Sequence, residues 1–486
     1  MAEHENNNNS IRILELAYSQ TRRNHWDQVA RGGINTNPSR LAYHELLKHY
    51  YRYLIPPNQS ILELGCGCGD LLAGLRASKA VGVDFSAEMI ALAGQRHPEC
   101  MFVLADVHQV EFNCCFDIII ISDLINDIWD VQKVFRHVRK WCHPDTRIIL
   151  NFWNKMWQTP LAVARRKGKA LPLLTQSWFA PDDVKNLLAL ENFEVVKHSK
   201  EILLPRSIRF LSGFFNKFLS KLPGAAWFTL TNIFVARLCT KPKWKARKPV
   251  VSVIIPARNE AGNIKNILGR TPTMGSGTEL VFVEGGSTDA TFETINGLLA
   301  QSPDQLAKLV KQTGKGKGDA VRAGIRAASG EILMILDADL TVSPEDLPLF
   351  YEALTSGKCE FVNGVRLVYP LEDEAMRLFN LIGNKVFTVL FSWLIGQPIK
   401  DTLCGTKVFS RLHYDLIADN RAYFGDFDPF GDFDLILGAT KQNLKIMDLP
   451  IRYKSRTYGK TNIERWRHGA LLFKMVLFAA KRVKFI

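Results

Sequence analysis

The chain has 486 residues, of which 47% are hydrophobic and 23% are charged. One hydrophobic core does not grow to this size, so the length predicts two or three domains. The balanced composition excludes a chain that is disordered throughout. No apolar run reaches the roughly 18 residues that cross a bilayer, and no signal-peptide pattern opens the chain. We therefore expect a folded cytoplasmic protein whose nine cysteines are reduced thiols.

The formal charge of +14 is unevenly distributed along the chain. Residues 441–486 contain 12 Lys and Arg against 2 Asp and Glu, whereas residues 241–440 contain 22 against 24. The basic excess of the second half is therefore a C-terminal feature. It predicts a surface for phosphates, anionic lipid or nucleic acid.

The chain begins with an Asn-rich polar segment, so residues 1–39 are expected to start as a disordered region. From residue 40 onwards, short segments rich in Val, Ile and Leu alternate with helical spacing, which predicts parallel strands covered by helices on both faces. The predicted strands of this first series are ILEL (61–64), KAVGVDFS (79–86), CMFVLAD (100–106), FDIIIIS (116–122), RIILNF (147–152) and a last strand in 226–237.

Three glycines follow the first predicted strand in the sequence GCGCG (65–69). Cys66 and Cys68 are separated by one residue, and no second Cys/His pair at zinc spacing accompanies them, which argues against a metal site. Glycine permits positive φ and close approach of a ligand, and open α/β sheets bind ligands at the carboxyl ends of their strands. We interpret the loop as ligand-binding; a purely structural turn is the alternative.

The following strands end in polar residues: Asp84, Asp106 and Ser122. An acid about twenty residues after such a loop can bind both hydroxyls of a ribose. The series ELGCGCGD, VDFS, LAD and FDIIIISDLIND resembles the class I S-adenosylmethionine-dependent methyltransferases over about residues 40–240, with a Rossmann-like fold. The resemblance implies S-adenosylmethionine as cofactor, bound by Glu63, Gly65, Gly67, Asp84, Asp106 and Ser122. Glu63 and Gly65 would lie at its methionine end, Asp84 at the ribose and Asp106 at the adenine amino group.

The remaining motifs of this domain give weaker indications of function. His108, His137 and His143 are candidate bases by residue type alone. Segment 207–221 has apolar residues at helical spacing, and we expect a helix that packs on its own domain, with membrane contact as the alternative. Residues 241–249, KPKWKARKP, are basic and rich in proline, which predicts an exposed linker.

A second strand–helix series begins at residue 250 with VVSVIIP, ELVFVEG and EILMILDAD. The last strand ends in Asp337 and Asp339, and side chains at i and i+2 share one face of an extended chain. Two close carboxylates repel unless a cation neutralises them. Hard oxygen ligands beside a diphosphate suit Mg²⁺ or Mn²⁺, so both residues are the expected metal ligands.

Five further motifs accompany this pair in order: VSVIIPARNE, VFVEGGSTDAT, GKGKGDAVRAG, NGVRL with DTLCGTKVFS, and IRYKSRTYGKTNI. Together they resemble the family 2 glycosyltransferases with the GT-A fold, most of all the polyprenyl-phosphate (dolichol-phosphate mannose synthase type) branch, over residues 250–486. The resemblance implies a nucleotide-sugar donor and transfer with inversion. The implied donor site comprises Pro256, Glu260, Glu284, Gly286, Lys315 and Asp337. Where the family usually has D-D-G-S this chain has E-G-G-S, and S-G-F-R becomes C-G-T-K, which leaves the nucleotide base undetermined.

Two apolar segments, about 376–395 and 466–486, are expected to form amphipathic helices that lie on an anionic membrane, although an interior helix is the alternative. Nucleic acid is disfavoured, because the basic tail lacks spaced stacking aromatics. A lipid phosphate needs no base and is expected to bind Arg366, Lys407, Arg452, Lys454 and Arg456. A hydroxyl acceptor would need a carboxylate base. FGDFDPFGDFDL offers Asp426, Asp428, Asp432 and Asp434, of which Asp432 is the expected catalytic residue; a solvated acidic loop is the alternative.

The sequence thus predicts a bifunctional enzyme that associates peripherally with a membrane. The first domain transfers methyl groups, and the second, with Asp337 and Asp339 as catalytic acids, transfers a sugar to a polyprenyl-phosphate or lipid-linked glycan during surface-glycan synthesis. Two alternatives stay open. The methyltransferase-like domain could serve only for binding, or the whole chain could be a membrane-associated scaffold that binds nucleotides without turnover.

Overall fold

The computed structural model divides the chain into two compact units, and each is described by itself. Unit 1 comprises Met1–Cys239 with Phe485–Ile486, and unit 2 comprises Thr240–Lys484. The structure describes residues 2–32, 38–167, 173–206, 208, 210–239, 244, 247–303, 305–366, 368–369, 378–423, 431–456, 458 and 473–486, without the side chains of 2–12, 378–384 and 432. Most of the predicted linker 241–249, residues 371–377 and residues 459–472 lie outside the described residues.

Unit 1 is an α/β sandwich around one sheet. Its strands are β1 (Gln59–Leu64), β2 (Ala77–Asp84), β3 (Met101–Leu104), β4 (Phe116–Ser122), β5 (Cys142–Trp153), β6 (Phe193–Glu201) and β7 (Thr231–Leu238). Its helices are α1 (Ala2–Arg31), α2 (Pro38–Leu54), α3 (Asp70–Ala73), α4 (Ala87–Arg96), α5 (Val131–Lys140), α6 (Gln158–Arg166), α7 (Pro181–Leu190) and α8 (Leu211–Lys217), with short 3₁₀ turns at Lys155–Trp157, Leu219–Lys221 and Ala225–Phe228.

The described strands of unit 1 pair in the order β3-β2-β1-β4-β5-β7-β6. Neighbours from β3 to β5 are parallel, whereas β7 runs antiparallel to both β5 and β6. The chain order reverses between β1 and β4, which is the position where open α/β sheets form a ligand crevice. Fully buried residues such as Ile119, Ile121 and Leu150 form the core with Val134 and Phe135 of α5.

Helix α1 differs from the expectation for the polar start of the chain, because it begins at Ala2. Its C-terminal half carries aromatic and charged side chains that bind the rest of unit 1, and these contacts hold a helix that its composition does not favour. Tertiary contacts commonly outweigh intrinsic helix propensity in this way.

Unit 2 contains a second α/β sheet. Its strands are β8 (Val250–Ala257), β9 (Gly277–Glu284), β10 (Ala307–Lys311), β11 (Ile332–Ile335), β12 (Phe361–Val365), β13 (Lys407–Ser410) and β14 (Ile446–Pro450). Its helices are α9 (Ala261–Arg270), α10 (Thr291–Gln301), α11 (Lys317–Ala327), α12 (Leu347–Thr355), α13 (Leu378–Ile395), α14 (Arg411–Asp419) and α15 (Asp432–Lys441), with 3₁₀ turns at Pro344–Asp346 and Arg421–Tyr423 and a π-helical end at Ala480–Lys484 that follows a helix at 473–479.

The described strands of unit 2 pair in the order β10-β9-β8-β11-β13-β12-β14. Strand β13 is antiparallel to β11 and β12, and the other neighbours are parallel. Both sheets therefore contain an antiparallel strand beside the predicted parallel strands. Apolar clusters cover both faces of this sheet.

The two segments expected on a membrane have a buried and an exposed side. In α13, Phe391, Leu394 and Ile395 are buried in the core, whereas Val386 and Val389 are exposed. In residues 473–483, the core contains Met475, Val476, Ala479 and Val483, and the exposed apolar side chains are Phe473 and Leu477. Among the described residues, no helix has the length and apolar composition needed to cross a membrane.

Candidate active sites

The glycine loop of unit 1 turns directly after β1. Gly65, Gly67 and Gly69 all have positive φ, between 51° and 76°, a region that other residues seldom adopt. A Cβ on Gly65 would lie 2.8 Å from a methyl carbon of Leu124. Cys66 is buried, and burial raises the pKa of its thiol and raises that of Cys68 to about 11, which leaves little thiolate for metal or redox chemistry.

A cavity of about 290 Å³ opens beside this loop, and its lining includes all six predicted cofactor residues: Glu63, Gly65, Gly67, Asp84, Asp106 and Ser122. Asp84 accepts hydrogen bonds from the backbone N–H groups of Gly67 (2.9 Å) and Ser86 (3.0 Å), so it ties the loop to the end of β2. Burial raises the pKa of Asp84 to about 6.

Glu63 is the most buried acid of this cavity, at 2% exposed. Its Oε2 atom is buried and has no hydrogen-bond partner among the described residues. Burial raises the pKa of Glu63 to about 8. A cationic group brought into the cavity would satisfy this oxygen and ionise the acid.

Asp106 is held by its neighbour His108. Asp106 Oδ1 lies 2.7 Å from His108 Nδ1, and His108 Nε2 accepts the backbone N–H of Asp130 at 3.3 Å. Burial opposes ionisation of Asp106, but the side-chain and backbone hydrogen bonds from His108 and the nearby positive charge together outweigh burial and lower the pKa of Asp106. His108 therefore has both ring nitrogens engaged, which does not suit the role of a free base.

The wall of the cavity also contains residues that the sequence did not indicate, from α1 and α2. They include Tyr18, Arg22, Trp26, Arg40 and His44. Arg22 Nε and Trp26 Nε1 each donate to the carboxylate of Asp127 at 2.9 Å. Arg40 has one buried guanidinium nitrogen, NH1, without a hydrogen-bond partner among the described residues.

Asp123 lies one residue beyond β4 and also lines the cavity. Its φ is 53°, and its Oδ1 accepts hydrogen bonds from Tyr43 Oη (2.9 Å) and Asn151 Nδ2 (2.6 Å). Burial raises the pKa of Asp123 to about 7. A carboxyl group with a pKa near neutrality can accept a proton at physiological pH.

In unit 2, hydrogen bonds join the loops that follow β8 and β9. Asn259 Oδ1 accepts the N–H of Thr288 at 2.7 Å, and the N–H of Asn259 donates to Ser287 Oγ at 3.1 Å. Glu284, 3% exposed, accepts the N–H of Ser287 at 2.5 Å, so its carboxylate turns back on its own loop beside Gly286. Pro256 is the penultimate residue of β8, the strand that leads into the first of these loops.

Asp337 and Asp339 follow β11, and each pairs with its own basic side chain. The strand ends at Ile335, and residues 338–339 form a turn, so the two-residue period of an extended strand does not govern this pair. Asp337 Oδ1 lies 2.7 Å from Lys317 Nζ, and Asp339 Oδ2 lies 2.7 Å from Arg456 NH2. Burial raises the pKa of Asp337, but the charge and hydrogen bond of Lys317 and the charges of Lys407 and Arg366 together outweigh burial, so the pKa lies below its ordinary value.

Arg456 connects two of the predicted donor-site acids. Its NH1 lies 3.2 Å from Glu260 Oε1, while its NH2 contacts Asp339. Burial raises the pKa of Glu260, and the Arg456 charge partly offsets this. The segment that carries Arg456 is fixed nearby, since the N–H of Lys454 donates to the carbonyl of Thr341 at 3.0 Å.

The five residues predicted to bind an acceptor phosphate have different surroundings in the structure. Arg366 makes a bidentate ion pair with buried Asp401 (2.7 and 2.9 Å). Lys407 is fully buried in β13, and its Nζ donates to the Cys404 carbonyl and Asn363 Oδ1. Arg452 and Lys454 are exposed, and Arg456 binds the acids described above.

Lys317, the first residue of α11, contacts Asp337, whereas the predicted donor-site residue Lys315 is exposed in the preceding loop. Gly405 packs against this pair so closely that a Cβ there would lie 2.0 Å from Asp337 Oδ2. Among the candidate bases, Asp434 pairs with Arg421 at 2.8 Å. Asp426, Asp428 and the side chain of Asp432 lie outside the described residues.

Comparison with known proteins assigns both units. The model of glycosyl transferase family 2 matches residues 252–414, and that of a methyltransferase domain matches residues 55–195. The chain is 30% identical over 235 residues to glycosyltransferase AglJ of Haloferax volcanii, which covers 48% of this chain and 72% of the relative. It is 36% identical over 234 residues to dolichol-phosphate mannosyltransferase of Pyrococcus furiosus, covering 46% of this chain and 64% of the relative.

A third relative is undecaprenyl-phosphate 4-deoxy-4-formamido-L-arabinose transferase of Salmonella paratyphi B, at 26% identity over 232 residues. That match covers 46% of this chain and 66% of the relative. For the latter two relatives the chain thus spans less than two thirds of their length.

The two sheets, with acids gathered at the carboxyl ends of their strands, define a transferase with a Rossmann-like methyltransferase domain followed by a GT-A-like domain, which confirms the predicted fold class and order. The chain belongs to glycosyl transferase family 2 and carries a methyltransferase domain in its first half.

Proposed function

We propose that unit 2 transfers a sugar from a nucleotide-sugar to a polyprenyl-phosphate or lipid-linked glycan, with inversion at the anomeric carbon. The observation that carries this proposal is the pair Asp337 and Asp339 after β11, each neutralised by a basic side chain of the protein itself. The names of the relatives support the acceptor class, because two of them are transferases to dolichol phosphate and undecaprenyl phosphate.

The donor site fits a divalent ion. Asp337 and Asp339 offer only oxygen ligands, which suit Mg²⁺ or Mn²⁺, and their side chains are 31% and 14% exposed and thus reachable from solvent. A bound ion would supply positive charge against a diphosphate leaving group. Lys317 and Arg456 would then be released from the carboxylates and could bind phosphate oxygens.

The acceptor is proposed to be the phosphate, which is largely ionised near neutral pH, its second pKa being about 6. It attacks the anomeric carbon without a general base. Of the five predicted phosphate ligands, we retain Arg452, Lys454 and Arg456, because Arg366 and Lys407 are engaged in the interior. Positioning and electrostatics would provide most of the rate.

For unit 1 we propose methyl transfer from S-adenosylmethionine. Two buried atoms without a hydrogen-bond partner among the described residues line its cavity, the acid oxygen Glu63 Oε2 and the guanidinium nitrogen Arg40 NH1. An amino-acid end, with one ammonium and one carboxylate, matches that pair of groups. Asp84 and Asp106 are available for the ribose and the adenine, and Asp123 for the proton of a hydroxyl acceptor.

We further propose that the protein acts at an anionic membrane surface in surface-glycan synthesis. Val386, Val389, Phe473 and Leu477 are exposed on unit 2, near the basic C-terminal residues. Such a surface binds lipid through apolar burial and charge attraction.

The test of the sugar transferase uses the full chain, a panel of nucleotide-sugars, polyprenyl phosphate and Mn²⁺. Release of nucleoside diphosphate should depend on Mn²⁺ and on the lipid. Asp339→Ala should reduce it at least about 100-fold, whereas Arg452→Gln should mainly raise KM for the lipid. Absence of turnover with every donor would refute the activity and favour a nucleotide-binding scaffold.

The test of the methyltransferase begins with S-adenosylhomocysteine binding measured by calorimetry. Wild type and Asp339→Ala should bind equally, whereas Asp84→Asn should bind at least about tenfold more weakly. If wild type does not bind, the proposal for unit 1 is wrong, and the result for unit 2 stands independently.

A further inference from the structure

Unit 1 exposes a group of large apolar side chains at one edge of its sheet. Phe210, Phe214, Trp227 and Phe228 are 83%, 56%, 66% and 59% exposed. Isolated exposed apolar residues are common on proteins, but a contiguous apolar surface usually marks a binding site. We call residues 154–167 together with the described residues of 206–228 the aromatic edge.

Helix α8 is attached to unit 1 by its polar side. Asn216, 3% exposed, accepts the N–H groups of Leu203 (2.9 Å) and Leu204 (2.8 Å) and donates to the Leu204 carbonyl (2.9 Å). Ser220 of the following 3₁₀ turn is also buried, whereas Phe214 of α8 is exposed; Phe218, just after α8, is partly covered by the ring of Phe485, at 5.2 Å between ring centres. A helix that packs on its own domain normally buries its apolar side, so this reversed arrangement indicates an external apolar partner.

The two segments of the aromatic edge are joined to each other. Asn154 Nδ2 donates to the Trp227 carbonyl, and Trp157 Nε1 donates to the Phe228 carbonyl, both at 2.9 Å. Met156 of the first segment is exposed as well. These hydrogen bonds fix the two segments relative to each other, so the aromatic edge is one ordered surface.

The location of the aromatic edge relates it to the cavity. Segment 154–167 follows the carboxyl end of β5, and β5 lies beside β4, whose carboxyl end carries Ser122 and Asp123 of the cavity wall. The aromatic edge and the cavity therefore both lie at the carboxyl ends of the parallel strands.

The charge of the aromatic edge has one sign. Residues 154–167 and 206–228 contain no Asp or Glu. Exposed basic side chains accompany the apolar ones, namely Lys155, Arg166, Lys167, Arg206 and Lys217. Lys200 Nζ also lies 5.2 Å from the centre of the Trp227 ring. Aromatic side chains surrounded by Lys and Arg match the boundary between lipid headgroups and acyl chains.

We propose that the aromatic edge docks unit 1 on an anionic lipid bilayer, so that the methyltransferase cavity faces the membrane surface. This goes beyond the proposed reactions and beyond the membrane contact proposed for unit 2. It implies that the methyl acceptor reaches unit 1 from the membrane side, as a lipid-linked compound would.

The test is hydrogen exchange of the full chain with vesicles of phosphatidylcholine and phosphatidylglycerol, and with vesicles of phosphatidylcholine alone. Residues 208–228 should exchange more slowly with the anionic vesicles only. In flotation, Phe214→Ser/Trp227→Ser should bind these vesicles at least about tenfold more weakly. The matched control is Met101→Ser/Leu190→Ser, which removes two exposed apolar side chains near the amino ends of β3 and β6, at the end of the strands opposite to the aromatic edge. It should bind like wild type.

Thermal unfolding should be the same for both double variants and wild type, because all four side chains are exposed. Vesicle binding without slower exchange in 208–228 would overturn the proposal and leave membrane contact to unit 2 alone. Equal binding to uncharged vesicles, or no binding to any, would overturn it too. So would sedimentation data in which Phe214→Ser/Trp227→Ser abolishes self-association, since the aromatic edge would then join two copies of the chain.

Discussion

At the scale of single residues, Glu63 illustrates a conflict between stability and binding. The acid is almost fully buried, and burial raises its pKa from 4.5 to about 8. The folded state then holds a proton that the unfolded state releases, so the free energy of unfolding falls as pH rises from about 4.5 to 8 and is level above that. Strained or destabilising groups of this kind commonly occur at functional sites.

We expect Glu63→Gln to be more stable than wild type at pH 8, by roughly 2–4 kcal/mol, and equally stable near pH 4, where both side chains are uncharged. The variant should nevertheless bind S-adenosylhomocysteine at least about tenfold more weakly, because the amide attracts an ammonium group less than a carboxylate does. Denaturant unfolding at the two pH values and calorimetry measure both effects. A variant that is less stable than wild type at pH 8 would contradict this account.

Arg456 forms ion pairs with two acids, Glu260 and Asp339. Arg456→Gln leaves Glu260 and Asp339 without their shared positive charge, and we expect it to lower the free energy of unfolding by about 1–3 kcal/mol. Mn²⁺ should raise the melting temperature of this variant more than that of wild type, because the ion no longer displaces an arginine. Arg452→Gln, which removes an exposed arginine four residues earlier, serves as the control and should respond like wild type. An identical Mn²⁺ response in all three proteins would speak against a metal at Asp339.

At the scale of elements, helix α1 depends on a few polar contacts. Asp127 accepts from both Arg22 and Trp26, and Asp27 accepts from Ser86 Oγ at the start of α4. These contacts hold α1 against the cavity, where Tyr18 and Trp26 form part of the wall. The helix is thus part of the binding site as well as of the fold.

We expect Asp127→Asn to speed hydrogen exchange in residues 18–31 and to weaken S-adenosylhomocysteine binding by about tenfold, since an amide accepts only one of the two bonds well. Glu15→Gln removes the 3.2 Å ion pair of the same helix with Lys133 and is the control. It should leave both measurements close to wild type. Should the two variants behave alike, α1 would not act through Asp127.

The sequence could predict those elements whose signal is local. Runs such as FDIIIIS and EILMILDAD are buried strands, and acids after them lie at a sheet edge. The direction of β7 and β13 could not be predicted, because an apolar strand has the same composition in either orientation. Arg40 and Trp26 reach the cavity from helices that precede the sheet in the chain, which no local pattern indicates. The sequence around Lys407 does not show whether this side chain is buried or exposed. The sequence could not show that Lys317 contacts Asp337, because this depends on where α11 begins.

At the scale of the whole molecule, the net charge of +14 attracts an anionic membrane mainly through those basic residues that lie close to the lipid. Lys474 and Lys481 are exposed in the C-terminal segment, beside the exposed apolar side chains Phe473 and Leu477. Each basic residue close to an anionic leaflet contributes about 1 kcal/mol, and salt screens this attraction. Other lysines of unit 2, such as Lys265 and Lys358, are equally exposed but lie on α9 and after α12.

We therefore expect Lys474→Glu/Lys481→Glu to weaken binding to phosphatidylglycerol vesicles at least about 30-fold at low salt, because two attractive charges become repulsive. Lys265→Glu/Lys358→Glu changes the net charge by the same amount and should weaken binding less than about threefold. Flotation across a salt series measures both, and the salt dependence of the first variant should be shallower than that of wild type. Equal losses in the two variants would mean that overall charge, and not a C-terminal lipid-facing surface, brings the protein to the membrane.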